Sequence, residues 1–525
     1  MPLKKLILAI AILLNLPFSA RTQSHHENVS PFLADRNSFT ILSSAKPVAY
    51  DRMIFGLFIE HFHREIYGGI FEPGSKLSDE NGFRKDVIDA MKELKVPIVR
   101  WPGGCFASSY HWLNGVGSKR QPDFDKAWQV EEPNTFGTDE FVLWCKKIGA
   151  EPFICSNAGT GSSEEMSNWV EYCNLDAGRF GRLRHDNGHA QPYNVKFWSI
   201  GNENWGSHEM GAKAVTEWGP LVRESAKMMR RVSPDLRLFA AALPQKEWTL
   251  PLLKVAGDYL DYVSIHNYWD GDHEHLNPAS YMDCMMKTSS IEAEIKRTIE
   301  ILDESGYRDK IKIAFDEWNL RAWLHPGLFN SRAKMDIKAR DNNDINSTYT
   351  MADALFSACF LNTCLRNARD VKMACLSPAV NAAGALYVYT DGLVKRSTFY
   401  VLALYANQLK KNIVKIKTTS EILRNGHQST PALDVVLTCD DNKTHFVLAA
   451  VNKNPTKEMV LRLDFKQLGL QPSKQIKGMV LSGKSQDDYN DVGRENNVIP
   501  FDKTFEVSHS TIKIPAHSLV ILHLE

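Results

Sequence analysis

Between about residues 50 and 395, short apolar, β-prone runs alternate with longer stretches whose apolar positions recur three and four residues apart. The first pattern suits a strand buried on both faces, and the second an amphipathic helix. Strands are predicted at Ile54 to Ile59, Val96 to Arg100, Glu151 to Ser156, Val195 to Ile200, Arg237 to Ala241, Asp261 to His266, Ile311 to Asp316 and Asp370 to Cys375. Helices are predicted between them, at Arg84 to Lys95, Asp139 to Ile148, Ala212 to Arg231, Ile291 to Glu304 and Thr348 to Asn367. Eight parallel strands with intervening helices close into a (β/α)8 TIM barrel, an α/β fold.

Past residue 396 the texture changes. Runs such as Leu433 to Leu437, His445 to Val451, Glu458 to Leu463 and Thr511 to Ile514 are short and separated by Asn, Asp, Gly and Ser. They predict a C-terminal β-sandwich, jelly-roll-like, and the β-prone segment Ser38 to Val48 is expected to pair into it. The expected organisation is a barrel at residues 50–395 and a discontinuous sandwich from residues 30–49 and 396–525.

Residues 1–20 stand apart. Lys4 and Lys5, the apolar run Leu6 to Leu16, Pro17 and the stretch ending at Ala20 have the layout of a secretory signal peptide. The run is too short for an anchor, so the expectation is a secreted or periplasmic protein with no membrane association after cleavage. Lys plus Arg and Asp plus Glu number 62 each, which leaves no net positive field to hold a phosphate backbone and argues against nucleic acid. The nine cysteines form neither a Cys-x-x-Cys pair nor a cluster at metal-ligand spacing, so neither a disulfide scaffold nor a metal or cofactor site is expected. His61, His63, His111 and His266 are too dispersed to change that.

A barrel carries its chemistry at the C-terminal strand ends. Those ends are polar here: Glu60-His61, Arg100 to Cys105, Asn157, Gly201 to Trp205, His266 to Trp269, Asp316 to Asn319, and Ser377 with Asn381. Cleaving a glycosidic bond with retention needs two carboxyl groups about 5–5.5 Å apart. Glu203 and Glu317, ending the fourth and seventh strands, are the candidates. Burial among aromatics such as Trp205 and Trp318 is one way to keep one of them protonated. Taken alone, either acid has a structural reading as a helix cap or buried hydrogen-bonding group. Asp316 is read as structural, and Gly103-Gly104 as a tight turn rather than a phosphate cradle. Trp101, Trp112, Trp205, Trp269, Trp318 and Trp323 divide between core and sugar platform.

The segments Phe55 to His61, Tyr67 to Ile70, Val99 to Cys105, Tyr110 to Trp112, Ile200 to Gly206, Ser264 to Tyr268 and Phe315 to Asn319, in this order, resemble the α-L-arabinofuranosidases of glycoside hydrolase family 51. The resemblance implies an exo-acting retaining hydrolase with no cofactor, acting on arabinose-containing oligo- or polysaccharides of hemicellulose or pectin. It implies that Glu203 is the acid/base and Glu317 the nucleophile. It implies sugar contact for Glu60 and Asn202, contact of Tyr268 with the nucleophile or ring oxygen, and Arg100 bracing the nucleophile; the substrate-binding candidates are Glu60, Arg100, Cys105, Asn202, His266 and Tyr268. A hexamer is a further implication. The chain departs from some members in having Cys105 for Asn, a much weaker hydrogen-bonding group, and in having Pro378 where a Gln occurs. A β-xylosidase, galactofuranosidase or endoglucanase of the same clan, and a catalytically inactive carbohydrate-binding barrel, are the alternatives.

Overall fold

The structure is a computed structural model that describes residues 37–42, 46–62, 64–271, 277–322 and 344–525. The leader at 1–20, His63 and Trp323 lie outside the described residues.

Eight parallel strands form a closed barrel in chain order: Gly56–Phe58, Ile98–Trp101, Glu151–Ser156, Phe197–Ile200, Arg237–Ala241, Tyr262–Asp270, Lys312–Arg321 and Val371–Leu376. All eight predicted strands are present, for the reason given by their apolar runs: each is buried on its inner face by the others and on its outer face by helices. The first is shorter than expected, because Arg52–Phe55 winds into a 3-10 turn capped by the Asp51 side chain. The sixth and seventh run four and five residues past their predicted ends and carry polar groups up to the barrel mouth. The five predicted helices occur at Lys85–Leu94, Thr138–Ile148, Val215–Val232, Ile291–Ser305 and Met351–Arg366.

The seventh strand holds the irregularity on which the site depends. Against the sixth strand Ser264 pairs with Ala314 but His266 pairs with Glu317, so the seventh strand carries one extra residue there. Regular strands send successive side chains to opposite faces, and a bulge breaks that alternation. Consecutive Asp316 and Glu317 therefore both reach the same guanidinium, that of Arg100.

Beyond the barrel the chain remains helical over Ser397–Gln408, inside the stretch assigned to the sandwich, and sheet starts only at Asn412–Val414. A four-stranded sheet contains Ser38–Ile41, Ile416–Thr419, Met459–Arg462 and Thr511–Ile514; Ser38–Ile41 pairs antiparallel with Ile416–Thr419. A seven-stranded sheet contains Leu433–Cys439, Phe446–Asn452 and Ser518–Leu524 at its centre. Its two faces have different partners. Val435, Leu437, Leu448, Ala450, Val520 and Leu522 share a core with the smaller sheet. Val436, Val447, Ala449, Leu519 and Ile521 join the barrel core.

The helix Met351–Arg366 fills the junction and is buried on every side from Met351 to Leu365, as a helix apolar all round must be. Its end is pinned to the sheet by Asp434, which accepts Arg366 Nη1 at 2.6 Å and Asn362 Nδ2 at 2.9 Å. Burial pushes the Asp434 pKa up, but the Arg366 charge and these hydrogen bonds outweigh it and hold the carboxyl below its ordinary value. A group depressed in this way stabilises the fold above its unfolded pKa, and the contribution is lost as pH falls through the native value. Asp434→Ala is accordingly expected to cost about 1–3 kcal/mol in urea unfolding at neutral pH. The deficit should shrink as the pH falls below about 4. No helix among the described residues is long and apolar enough to cross a membrane. All nine cysteines are unpaired, and all but Cys105 are buried.

Candidate active site

A cavity of about 580 Å³ opens at the C-terminal end of the barrel, lined among others by Glu60, Cys105, Trp128, Asn202, Glu203, His208, Tyr268 and Glu317. Its floor is a set of carboxylates gathered around the buried Arg100. The Arg100 guanidinium, at the end of the second strand, contacts Asp316 at 3.2 Å, donates to Glu317 Oε1, and donates to Asn202 Oδ1 at 2.7 Å. Phe58 lies 5.0 Å beneath it. Tyr268 donates its hydroxyl to the other Glu317 oxygen at 2.9 Å and also contacts Ser377 Oγ at 2.7 Å.

Glu203 lies in the turn just past the fourth strand with φ at +41°, a left-handed conformation that costs a non-glycine residue roughly 1–2 kcal/mol. The strained turn aims its carboxyl inward between two imidazoles: His266 Nδ1 lies 2.8 Å from Oε1 and His208 Nε2 lies 2.8 Å from Oε2. A Glu203 oxygen, a Glu317 oxygen and a His266 nitrogen all fall within 4.8 Å of one another. Two carboxyls separated by 114 positions in the sequence therefore share one sugar-sized space.

Burial alone raises the pKa of both Glu203 and Glu60, but their neighbours send them opposite ways. For Glu203 the hydrogen bonds and charges of His208 and His266 overcome burial, and the carboxyl sits well below the usual range. The two imidazoles, rather than burial among aromatics, set the direction for this group. Glu60 is pushed up to about 8 by burial and by the Glu317 charge, against the opposing Phe106 amide and Trp128 indole. His266 loses basicity through burial, but the charges of Glu317, Asp316 and Glu203 prevail and raise it to about 10.

The predicted site residues separate into two layers. Glu60, Cys105, Asn202, Glu203, Tyr268 and Glu317 line the cavity; Arg100 and His266 lie behind the carboxylates and touch them rather than the open space. Glu60 accepts three donors on Oε1, from the Gly104 and Phe106 amides and the Trp128 indole at 2.9–3.1 Å. A Cβ on Gly103 would sit 2.3 Å from Glu60 Cγ, and one on Gly104 only 2.9 Å from Glu317 Oε1. These glycines exist for close approach to two acids. Asn202 donates to Glu209 Oε1 at 2.9 Å while accepting from Arg100, so both ends of its amide are fixed. Cys105 is hydrogen-bonded to Glu209, and burial pushes its thiol pKa well up. Asn381 braces Arg64 and Val388 backbone instead of facing the cavity, whereas Pro378 lines it.

Sequence reasoning missed His208, Glu209 and Trp128. Trp128 follows the short strand Asp123–Asp125 in the loop after the second barrel strand, a polar stretch with no periodic signal, yet it walls the cavity. Of the tryptophans singled out, Trp101, Trp112 and Trp318 are fully buried and Trp269 is nearly so; only Trp205 among the described ones is partly exposed. His61 is a core histidine: its Nε2 accepts from Trp101 and its Nδ1 faces Glu132 at 3.1 Å. Cys105, His208 and Glu209 also place polar side-chain atoms within 4.8 Å of one another.

The model of the α-L-arabinofuranosidase 1 domain matches residues 90–286, and that of the α-L-arabinofuranosidase C-terminal domain matches residues 316–518. α-L-Arabinofuranosidase C of Emericella nidulans is 32% identical over 501 residues, covering 89% of this chain and 94% of that protein. The solved family 51 α-L-arabinofuranosidase of Thermotoga petrophila superposes with a TM-score of 0.81 at 31% identity, covering 93% of this chain and all of that one. The chain belongs to the α-L-arabinofuranosidases of glycoside hydrolase family 51. A further relative, the intracellular exo-α-(1→5)-L-arabinofuranosidase of Acetivibrio thermocellus, is 33% identical across 81% of this chain and 86% of its own length. In this arabinofuranosidase, therefore, the paired acids stand at the mouth of a glycoside hydrolase barrel.

Proposed function

We propose that the chain is an exo-acting, retaining α-L-arabinofuranosidase that removes terminal non-reducing arabinofuranosyl groups from hemicellulose- or pectin-type saccharides. The approach of Glu203 and Glu317 oxygens to within 4.8 Å carries the reading. Retaining pairs stand about 5–5.5 Å apart and inverting pairs about 6.5–9.5 Å, and so close an approach of the oxygens favours retention. Glu317 attacks the anomeric carbon as Glu203 protonates the departing oxygen; water then cleaves the arabinosyl ester, giving its proton to Glu203. Arg100 and Tyr268 fix the two Glu317 oxygens, so the nucleophile is aimed before substrate arrives. Glu60, raised to about 8, is mostly neutral at pH 7 and can both donate to and accept from sugar hydroxyls.

Export through residues 1–20 and assembly as a hexamer complete the proposal. The first is supported by the charge and apolar layout of the leader, the second by the family resemblance.

The test is release of nitrophenol from para-nitrophenyl α-L-arabinofuranoside, set beside the β-D-xyloside, β-D-galactofuranoside and β-D-glucoside. A strong preference for the arabinofuranoside is expected, and turnover of another glycoside alone would reassign the substrate. Glu203→Gln should lower kcat/KM on arabinobiose by about 10²–10⁴-fold. It should spare a dinitrophenyl arabinofuranoside, whose leaving group departs unprotonated.

A further inference from the structure

An acid/base carboxyl must hold a proton when the aglycone leaves, yet the His208 and His266 imidazoles, each 2.8 Å from a Glu203 oxygen, favour its charged form and hold it well below the usual range. The proton has to come from a neighbour. His266 is a poor source: its side chain is 4% exposed, and three carboxylates hold its proton, those of Glu203 at 2.8 Å, Asp316 at 3.4 Å and Glu317 at 3.6 Å. His208 differs in place and exposure. It sits in the turn after the fourth strand with a side chain 34% exposed, lines the cavity, and meets the outer Glu203 oxygen at 2.8 Å. Gly206 makes room for the ring, since a Cβ there would fall 2.2 Å from His208 Cε1.

We propose that His208 is the proton store of the acid/base, a positioning residue that acts only through Glu203 and rests on the reading of Glu203 given above. In the free enzyme the pair is imidazolium and carboxylate. As the aglycone enters, the Nε2 proton passes to Glu203 Oε2 and the neutral ring gives way. Glu203 then hands the proton to the glycosidic oxygen as Glu317 forms the ester bond. In the second half, Glu203 takes a proton from the attacking water and returns it to His208 Nε2. Each cycle ends with the imidazolium restored, and no outside acid is consumed.

The surroundings suit a titrating group. His208 faces Glu203 and, at 3.8 Å, Glu209 Oε1 on its own loop, Cys105 on the loop after the second strand, and more remotely Glu317 on the seventh. The Trp205 ring packs edge-on at 5.7 Å. The Glu203 hydrogen bond leads in raising the His208 pKa above its ordinary value, against partial burial. Free enzyme therefore stays acid-competent to a higher pH than the Glu203 carboxyl alone would permit.

The experiment compares wild type, His208→Gln and His208→Asn for kcat/KM against pH on arabinobiose and on a dinitrophenyl arabinofuranoside. Either amide removes the titrating ring. Losses of about 10–100-fold on arabinobiose are expected, with near wild-type rates on the activated substrate. The alkaline limb should move to lower pH by about one unit or more, and added imidazole should restore arabinobiose cleavage in the variants only. An equal loss on both substrates with an unmoved limb and no rescue overturns the proposal. Glu203→Gln run alongside keeps the two readings apart. If it shows no leaving-group dependence, the acid/base assignment fails; if it does and the His208 variants do not, only the proton store fails. Both substitutions lie in a half-exposed turn, and unchanged thermal midpoints establish that the variants are folded.

Discussion

Glu317→Ala is expected to release nitrophenol from para-nitrophenyl α-L-arabinofuranoside at least about 10⁴-fold more slowly than wild type. It should do so without unfolding, because Arg100 retains Asp316 and Asn202 as partners when the Glu317 carboxyl is gone. The shortened side chain leaves a space on the face from which the nucleophile attacked. Azide entering it should form a β-configured arabinosyl azide, identifiable by proton NMR, and restore part of the rate on an activated substrate. Residual activity within tenfold of wild type would remove Glu317 from the nucleophile's role.

Arg100→Met should be the most damaging substitution for stability. The side chain is wholly buried and faces Asp316 and Glu317 at once, with His266 also beside both. Removing one partner from a buried ionic cluster costs about 3–5 kcal/mol, because the remaining charges lose their counter-charge but stay out of water. The pH dependence carries a distinct sign. Burial raises the Asp316 pKa, but Arg100, with His266, overturns this and holds it below the ordinary value. In wild type that contribution is therefore lost as the solution becomes acidic. In the variant the Arg100 charge is absent and burial counts for more, so protonation relieves the unpaired carboxylate and the deficit should narrow as pH falls. Urea unfolding of both proteins at several pH values checks this, and adding Asp316→Asn to Arg100→Met should recover part of the loss.

Much of this was legible in the chain because it depends on short-range rules. The eight strands are apolar runs bounded by polar mouth residues, and Glu203 and Glu317 occupy strand ends that the barrel brings together. What was hidden depends on partners remote in sequence. The extra residue in the seventh strand follows from pairing with its neighbours, and without it Asp316 and Glu317 would face apart. His208 and Trp128 come from loops whose paths no periodicity encodes. Ser397–Gln408, with Phe399, Tyr400 and Val401, has strand-like residues; its packing against the helix Met351–Arg366 accompanies the helical outcome. The effect of the imidazoles on Glu203 is likewise a matter of three-dimensional charge, invisible in the motif.

The pairing of Ser38–Ile41 with Ile416–Thr419 and the Met459–Arg462 edge also imposes an order on synthesis. The first of the described strands has no sheet to join until residues beyond 416 have been made. The barrel can assemble in the meantime, but the smaller unit closes last, with its opening segment waiting throughout as an unpaired edge that chaperones would have to shield.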